Sequence, residues 1–278
     1  MENKISKPDI SGRKIKIKKI TSSLETIEMD DIIPAELLLT IVLNGKPLSI
    51  ISCSPGNTIE LVIGYLVNNG YIAGRKSINL LRVCGQENDN ILKKNEFMIK
   101  AEVLTDDDNQ KTSGPADFKY ISSACGSIDD FVVNKQLQKN TCKMKISPGV
   151  INSLNAENLK KQKFKNQFGG LHSAALFDSG GSLISLYEDI GRHNCIDKIA
   201  GFMQIKGIEP KNKLIFTTGR LSLDVIYKAA IMSVPVIITN SSVTHSAATL
   251  AKNLGITAIG YARGGRFNIY SCPGRITG

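Results

Sequence analysis

Six cysteines, at positions 53, 84, 125, 142, 195 and 272, give the chain its most reactive nucleophiles, since a thiolate attacks more readily than a hydroxyl. No two of them have the C-x-x-C spacing of a zinc knuckle or a thioredoxin-type pair. Cys125 stands in the Ser- and Gly-rich segment Tyr-Ile-Ser-Ser-Ala-Cys-Gly-Ser, which suits an exposed thiol, although a buried cysteine that opens a helix is the alternative. Cys84 is a rival thiol, but its strand-like surroundings favour a packing role, as the helical pattern does for Cys195.

Two glycine-containing segments with arginines follow apolar, strand-like runs, and ligands of open α/β sheets collect where parallel strands end. In Phe-Thr-Thr-Gly219-Arg220 the glycine admits a ligand and a following helix offers free N–H groups, so the segment is either a phosphate site or a simple β–α turn. The second segment has two arginines around two glycines, which favours a diphosphate held by guanidinium groups over a surface turn with solvated arginines. Its residues are Tyr261, Ala262, Arg263, Gly264, Gly265 and Arg266.

Charged and imidazole groups are concentrated in Gly-Gly-Leu-His172-Ser-Ala-Ala and in the run Glu-Asp-Ile-Gly-Arg-His193-Asn-Cys-Ile-Asp-Lys. We expect this density of polar groups to require partners or a ligand, because an unpaired buried charge is costly. His172 and His193 have the chemistry for proton transfer. Neither lies in an H-x-x-x-H or H-x-E pattern, so no metal site is predicted.

The elements around these segments predict three regions: a basic mobile arm over residues 1–25, an N-terminal α+β region over 26–148 that contains the cysteine loop, and a C-terminal α/β domain over 149–278. Asn44-Gly45 between two apolar runs predicts a β-hairpin, followed by a helix from Thr58 to Asn69. From residue 173 onward strands and helices alternate, which predicts an α/β layer with a largely parallel sheet.

Composition is ordinary for a globular protein, with 42% hydrophobic and 22% charged residues among 278. Apolar runs are too short to cross a bilayer and the N-terminus lacks a signal-like apolar region, so we expect a cytoplasmic protein without membrane contact. The net charge of +10 rests on lysine clusters. Nucleic-acid binding is a hypothesis from charge alone, and it is not favoured because aromatic residues are not interleaved with the basic ones.

Taken together, four strings of the second half resemble the formate dehydrogenase accessory sulfurtransferases, the FdhD family. They are Gly-Gly-Leu-His-Ser-Ala-Ala-Leu-Phe-Asp, Glu-Asp-Ile-Gly-Arg-His-Asn-Cys-Ile-Asp-Lys, Gly-Arg-Leu-Ser and Gly-Tyr-Ala-Arg-Gly-Gly-Arg. In the first half, Ser54-Pro-Gly-Asn-Thr-Ile-Glu-Leu-Val-Ile-Gly-Tyr-Leu resembles a Pro-Gly…Glu-Leu…Gly segment of the same family. The resemblance covers about residues 30–276 in matching order.

The resemblance implies a sulfurtransferase that takes persulfide sulfur from a cysteine desulfurase and passes it to a bis-molybdopterin guanine dinucleotide, the molybdenum cofactor, before insertion into formate dehydrogenase. By the match, Cys125 is the persulfide cysteine, and residues 261–266 hold the guanine nucleotide end, with Gly219, Arg220, His172 and His193 nearby. GDP is then a mimic of the substrate, and a homodimer is expected. Where many members carry C-G-x-C-G, this chain has the single thiol of Cys125, which implies a one-cysteine carrier rather than a disulfide relay.

The fold implied for the second half is a cytidine-deaminase-like α/β layer without the zinc signature, because Ala174 stands where H-x-E needs a glutamate and no P-C-x-x-C follows Pro235. A smaller N-terminal α+β region completes the expected fold. Two other functions remain open from the residues. One is a non-covalent chaperone for the guanine dinucleotide cofactor, and the other is a nucleotide hydrolase or deaminase, which needs a metal or an acid–base pair.

Overall fold

Three β-sheets form the framework of the protein. The computed structural model describes residues 12–84, 98–107, 119–121 and 137–277, and Cys125 lies outside these ranges. Within them the sheets have two, five and six strands. The helices are α1 (Thr58–Asn68), α2 (Pro148–Lys161), α3 (Phe164–Phe168), α4 (Arg192–Lys206), α5 (Leu223–Ile231) and α6 (His245–Asn253).

The first sheet is a hairpin of β1 (Arg13–Ile20) and β2 (Thr26–Ile33), paired antiparallel along their whole length. Residues 13–20 were expected to belong to an arm without regular structure, so this strand corrects the sequence interpretation. The physical reason is that Arg-Lys-Ile-Lys-Ile-Lys-Lys-Ile alternates with a period near two, which suits a strand even though its overall charge is high.

The five-stranded sheet has the order β5-β6-β3-β4-β7 and is drawn from residues 37–121. Its strands are β3 (Leu37–Leu43), β4 (Lys46–Cys53), β5 (Ile78–Cys84), β6 (Met98–Thr105) and β7 (Lys119–Ile121). The β3–β4 hairpin predicted at Asn44-Gly45 is confirmed, and both residues have the positive φ that a two-residue turn of this kind requires, 47° and 79°. Helix α1 closes one face of this sheet, with Leu61, Val62 and Leu66 in its core.

The six-stranded sheet carries the second half of the chain, in the order β13-β12-β11-β10-β8-β9. Its strands are β8 (His172–Asp178), β9 (Leu183–Asp189), β10 (Lys213–Thr217), β11 (Val236–Thr239), β12 (Thr257–Arg263) and β13 (Arg266–Ile269). Only β10–β11 and β11–β12 pair in parallel within this described sheet, whereas the other three pairs are antiparallel. The predicted largely parallel sheet is therefore wrong, because the short β8–β9 and β12–β13 turns enforce antiparallel neighbours.

Both faces of the six-stranded sheet are covered, which explains why its strands are apolar without strict alternation. On one face, Ala174 and Leu176 of β8 pack with residues of α4, α5 and α6. On the other face, Ala175 and Phe177 pack with Ile151 of α2. The sheet is thus the middle layer between two helical layers, a mixed α/β arrangement.

Helices α1 and α4 join the two larger sheets at a close crossing. A Cβ atom on Gly64 would lie 1.8 Å from the backbone oxygen of Asp197, and one on Gly201 would lie 1.9 Å from the backbone oxygen of Glu60. Glycine at these two positions is therefore what lets the helix backbones touch. The crossing fixes the position of α4, so the first residues of this helix are held at one edge of the six-stranded sheet.

Candidate functional site

The predicted binding segments meet at one edge of the six-stranded sheet. The start of β8, at His172, is paired with the end of β9, at Asp189. The ends of β10 and β11 lie on the same edge, since Thr217 is paired with Ala174 and with Thr239. Strand β12 runs in the same direction as β11, so its end also projects from this edge. The topology thereby brings together the segments that carry His172, His193, Gly219–Arg220 and residues 261–266.

The loop after β10 is held to the start of β8 by short hydrogen bonds. The hydroxyl of Thr217 and the backbone N–H of Thr218 both donate to the carbonyl of Ser173, each at 3.0 Å. The hydroxyl of Thr218 accepts from the N–H of Ser173 at 2.9 Å. These three hydrogen bonds explain why two threonines stand at the end of this strand, and they fix the backbone just before Gly219.

Gly219 lies where the backbone passes close to Arg192 at the start of α4. A Cβ at Gly219 would lie 2.8 Å from Cβ of Arg192, and the Gly219 carbonyl accepts from the hydroxyl of Thr239 at 2.7 Å. Arg220 is exposed. Helix α5 begins at Leu223 with Ser222 as its N-cap, so Gly219 and Arg220 precede the helix by a short loop rather than running directly into it as expected.

Residues 261–266 comprise the end of β12, the two-residue turn at Gly264 and Gly265, and the first residue of β13. Tyr261 has a φ of 53° and donates its N–H to the carbonyl of Ser241 at 2.8 Å, and a bulge in the β12–β13 pairing falls just before Arg263. Ala262 is buried and anchors the strand. Gly264 and Gly265 have φ of 61° and 74°, and no atom of the described chain lies within 4 Å of a Cβ built on either. The turn is open to solvent on the side a ligand would approach.

Arg263 and Arg266 face each other across this turn as a cross-strand pair. Both are exposed, and neither has an ion-pair partner in the part of the chain that the structure describes. Like charges directly opposite each other repel. An anion between the two guanidinium groups would turn this repulsion into charge-assisted hydrogen bonding, which is the chemistry of a diphosphate site.

The two histidines at this edge have different surroundings. His193, the second residue of α4, is buried and its Nε2 lies against the carboxylate of Asp224 of α5. Burial by itself raises the pKa of the Asp224 carboxyl. A hydrogen bond and charge from His193, together with a hydrogen bond from Ser222, outweigh burial, so the net pKa lies well below normal. His172 is half-buried, and burial together with the charge of Arg192 lowers its pKa.

Asp189, at the end of β9, is fully buried and has four hydrogen-bond donors. Its Oδ2 accepts from Nζ of Lys198 at 2.6 Å and from the backbone N–H of Ser54 at 3.2 Å. Its Oδ1 accepts from the N–H of Gly191 at 2.9 Å and from Nδ2 of Asn194 at 2.8 Å. Burial lowers the pKa of Lys198, but the charge of Asp189 outweighs it and the net pKa is raised. The buried amine of Lys198 is therefore held in its charged form.

A second buried pair involves Asp197, the residue just before Lys198 on α4. Asp197 accepts from Nζ of Lys228 at 2.6 Å and from Nδ2 of Asn68 at 2.7 Å. Asn68 ends α1, so this contact and the one between Ser54 and Asp189 tie the first half of the chain to the second. Glu188, in the same run, accepts from the backbone N–H groups of residues 163–165 at the start of α3.

These contacts meet the expectation that the charged run from Glu188 to Lys198 requires partners or a ligand, because the run finds partners within the chain. Its acids and its lysine find partners within the chain, and they hold the two larger sheets together. His193 and Arg192 are the residues of the run that lie at the edge with Gly219. The sequence analysis missed Asp224 and Lys228, whose only local signal is their place in the amphipathic helix after Ser222.

The described cysteines differ in their fitness as nucleophiles. Cys53 and Cys195 are buried, and burial raises the pKa of both thiols well above normal, so neither is easily ionised in the folded protein. Cys84, at the end of β5, is half-buried, as are Cys142 and Cys272. Cys125, the predicted carrier, lies outside the described residues.

Two absences complete the description of the site. Among the residues that the structure describes, no three His, Cys, Asp or Glu side chains form a group able to hold a metal ion. No helix in the same residues is long and apolar enough to span a membrane.

Comparison with known proteins identifies relatives along nearly the whole chain. The model of the FdhD/NarQ family matches residues 34–277. The sulfur carrier protein FdhD of Sulfolobus acidocaldarius is 35% identical, over 95% of this chain and 98% of its own. The protein of the same name from Bacillus subtilis is 32% identical, over 91% of this chain and 93% of its own.

A solved structure gives the same answer for the fold. The crystal structure described as a formate dehydrogenase accessory protein from Desulfotalea psychrophila aligns with a TM-score of 0.75, at 24% identity, over 96% of this chain and 100% of that one. The mixed α/β architecture is therefore shared with a solved protein. From the family match and the two relatives, the chain belongs to the FdhD/NarQ family.

Proposed function

We propose that this protein is a sulfur carrier that acts in the maturation of formate dehydrogenase. The observation that carries the proposal is the relative named sulfur carrier protein FdhD, of which this chain covers 98% at 35% identity. The organisation of the sheet edge supports it, because the family strings around residues 172, 193, 219 and 263 come together there rather than being scattered over the surface.

In this proposal Cys125 carries the sulfur as a persulfide. Its thiolate attacks the outer sulfur of a persulfide on a cysteine desulfurase, forming a new S–S bond on Cys125. The S–S bond of the donor breaks at the same time, and the donor cysteine leaves as a thiolate, so the exchange needs no external oxidant. Support comes from the burial of Cys53 and Cys195, whose thiols are poorly suited to this attack.

The substrate at the sheet edge is a bis-molybdopterin guanine dinucleotide, with GDP as a mimic of one end. The fit rests on the arginine pair of the β12–β13 turn, since Arg263 and Arg266 oppose each other without a described counter-charge and the turn glycines leave room for a diphosphate. Arg220 adds a third exposed cation, and Gly219 lets the loop backbone lie close. The histidines at 172 and 193 line the same edge.

Further parts of the proposal follow from family membership. The carrier works in the cytoplasm, receives sulfur from a cysteine desulfurase, and acts as a homodimer. Its second half, residues 149–278, is a domain with cytidine-deaminase-like layering, which the order β9-β8-β10-β11-β12 between two helical layers supports.

A complementation experiment tests the function. A client formate dehydrogenase would be produced in a host that lacks its own carrier, together with the wild-type protein, the Cys125→Ser variant or the Cys272→Ser variant as a matched control. We expect formate dehydrogenase activity with wild type and Cys272→Ser and none with Cys125→Ser. Full activity with Cys125→Ser would instead support a non-covalent chaperone for the guanine dinucleotide cofactor.

A further inference from the structure

The edge of the six-stranded sheet opposite the candidate site is crossed by a segment from the middle of the chain. Strands β10, β11 and β12 run in the same direction and all begin at this edge. In the segment 139–146, Nδ2 of Asn140 donates to the carbonyl of Ser233, just before β11, at 3.0 Å. Sγ of Cys142 lies 3.9 Å from Oδ1 of Asn212, just before β10. The segment is thereby fixed across the beginnings of the strands.

Lysines from three parts of the chain converge along this edge. They are Lys139, Lys143, Lys145, Lys211, Lys213 and Lys252. All are exposed except Lys213, which is half-buried, and none of their amines forms an ion pair within the part of the chain that the structure describes. The edge is built from four segments, 139–146, 209–213, 252–257 and 272–277, whose only side-chain carboxylate is that of Glu209. We call these four segments the lysine edge.

A cavity of about 330 Å³ lies within the lysine edge. Cys142, Met144 and Cys272 contribute to its lining, together with Lys143 and Lys145. Cysteine and methionine are at most weakly polar, and lysine carries a methylene stem beneath its charge. The volume is at the lower end of the range for ligand pockets. The cavity therefore suits one large apolar side chain better than a cofactor.

Hydrogen bonds within the chain hold the walls of this cavity. Arg275, which also lines it, is buried and donates from Nε to the carbonyl of Cys142 at 3.0 Å and from Nη1 to Oγ1 of Thr257 at 3.0 Å. Nζ of Lys145 donates to the carbonyl of Gly274 at 2.6 Å. The guanidinium group is thus engaged in the structure, and the cavity is formed before any ligand arrives.

We propose that the lysine edge binds an acidic segment of a partner protein, with one apolar side chain of that segment in the cavity. The amines of Lys143 and Lys211 make neither an ion pair nor a hydrogen bond within the described residues. Carboxylates of the partner would replace the mutual repulsion of these amines by attraction. An apolar pocket surrounded by polar groups is also how protein–protein contacts are organised.

Nucleic acid and a lipid surface fit the lysine edge less well. Its four segments contain no Phe, Tyr or Trp on which a base could stack, and their single arginine is already engaged within the chain. No large apolar side chain of these described segments is exposed, whereas a protein that lies on a membrane needs an apolar face to enter the lipid. The charges and the cavity together favour an acidic protein segment.

The lysine edge is separate from the site of the proposed function. It lies where β12 begins, at Thr257, whereas residues 261–266 lie where β12 ends. An acidic segment and a guanine nucleotide can therefore bind to the same molecule at once. The inference does not depend on sulfur transfer by Cys125, and its failure would leave that proposal untouched.

Fluorescence anisotropy on the full chain tests the proposal with two fluorescein-labelled peptides of glutamates. One has a central phenylalanine and the other a central glycine. Because the cavity would bury the ring, we expect the phenylalanine peptide to bind about tenfold more tightly than the glycine peptide. Saturating GDP should change neither affinity.

Variants separate the charges from the cavity. The double variant Lys143→Glu/Lys211→Glu should bind both peptides at least about tenfold more weakly than wild type. The matched control is Lys160→Glu/Lys161→Glu, which makes the same change of charge at exposed positions of α2 and should bind both peptides nearly as wild type does. Cys142→Leu fills the cavity, so it should lower the affinity for the phenylalanine peptide to that for the glycine peptide. Unchanged binding of the glycine peptide shows that this variant is folded.

Four results would overturn the proposal. Equal affinity of wild type for the two peptides would remove the role of the cavity, and equal losses in the two double variants would remove that of the lysine edge. Tighter binding of a labelled single-stranded RNA of the same charge would assign the surface to nucleic acid. Displacement of the peptides by GDP would place them at the opposite edge of the sheet.

Discussion

We predict that Gly64→Ala strongly destabilises the protein at the crossing of α1 and α4, although alanine forms helices better than glycine does. A Cβ at this position would lie 1.8 Å from the backbone oxygen of Asp197 and 2.8 Å from the backbone nitrogen of Gly201. These are backbone atoms of α4, so they cannot rotate away as the end of a side chain can. The two helices must move apart to admit the methyl group.

The magnitude follows from two opposing effects. Replacing glycine by alanine inside a helix stabilises it by about 1 kcal/mol. Overpacking a well-packed contact costs about 1–3 kcal/mol and sometimes more. Because the helices must separate by more than an ångström here, and the 2.7 Å hydrogen bond from Asn68 to Asp197 lies beside the crossing, we expect the upper end. The free energy of unfolding should fall by about 2 kcal/mol or more.

Urea unfolding followed by circular dichroism measures the change. The matched control is Gly149→Ala in α2, where the nearest atom to a new Cβ is Oγ of Ser147 at 3.8 Å. The control should unfold at the same urea concentration as wild type or slightly above it, and Gly64→Ala well below. A Gly64→Ala variant as stable as Gly149→Ala would refute the argument that backbone contact at this crossing requires glycine.

Three further predictions concern the buried pair and the sheet edge. Lys198→Met leaves the carboxylate of Asp189 buried without its counter-charge, and we expect the free energy of unfolding measured in urea to fall by about 3–5 kcal/mol. Burial and nearby cations lower the pKa of His172, so its ring proton signals in NMR should titrate below the ordinary pKa of about 6.5. Arg263→Ala and Arg266→Ala should each weaken GDP binding, measured by calorimetry, by roughly 1–3 kcal/mol.

Each of the three has a control on the same chain. Lys206→Met removes an exposed lysine from the same helix and should leave stability nearly unchanged, and equal losses would show that the buried pair is not the cause. Lys165→Gln removes one cation near His172 and should raise its pKa. Arg82 lies on the five-stranded sheet, so Arg82→Ala should leave GDP affinity unchanged. A loss of GDP affinity in Arg82→Ala, or unchanged GDP affinity in Arg263→Ala, would contradict the site assignment.

The direction of the His172 effect on stability follows from linkage. Its pKa is lower in the folded protein than in the unfolded chain, so the unfolded chain binds more protons as the pH falls through about 6.5. The contribution of His172 therefore favours folding above that range and opposes it below. His172→Gln should remove this part of the pH dependence from urea unfolding curves.

Much of the fold follows from local pattern. Turn residues and hydrophobic periods of two or 3.6 predict the Asn44-Gly45 hairpin, the helix after Asn57, and the alternation of strands and helices after residue 172. Local pattern also indicated the segments at the sheet edge. The register of the strands brings these segments to one edge of the sheet, whereas their roles remain predictions.

Long-range pairing could not be read from the sequence. Asn68 and Asp197 are separated by 129 positions, and nothing in the periodicity of α1 or α4 indicates that these two side chains bond. The same holds for Ser54 with Asp189, so the sequence left open whether partners or a ligand satisfy the charged run. The antiparallel pairing of β8 with β10 depends on which strand edges are free after the hairpin forms, a property of the assembled sheet.

The measurement that tests the central claim most directly is intact-mass spectrometry of the protein after incubation with a cysteine desulfurase and cysteine. Wild type, Cys125→Ser and Cys84→Ser would be compared before and after treatment with a reductant. The account predicts a gain of one sulfur mass on wild type and on Cys84→Ser, removed by the reductant and absent from Cys125→Ser. Equal labelling of Cys125→Ser and wild type, or no labelling of wild type under active turnover of the donor, would contradict it.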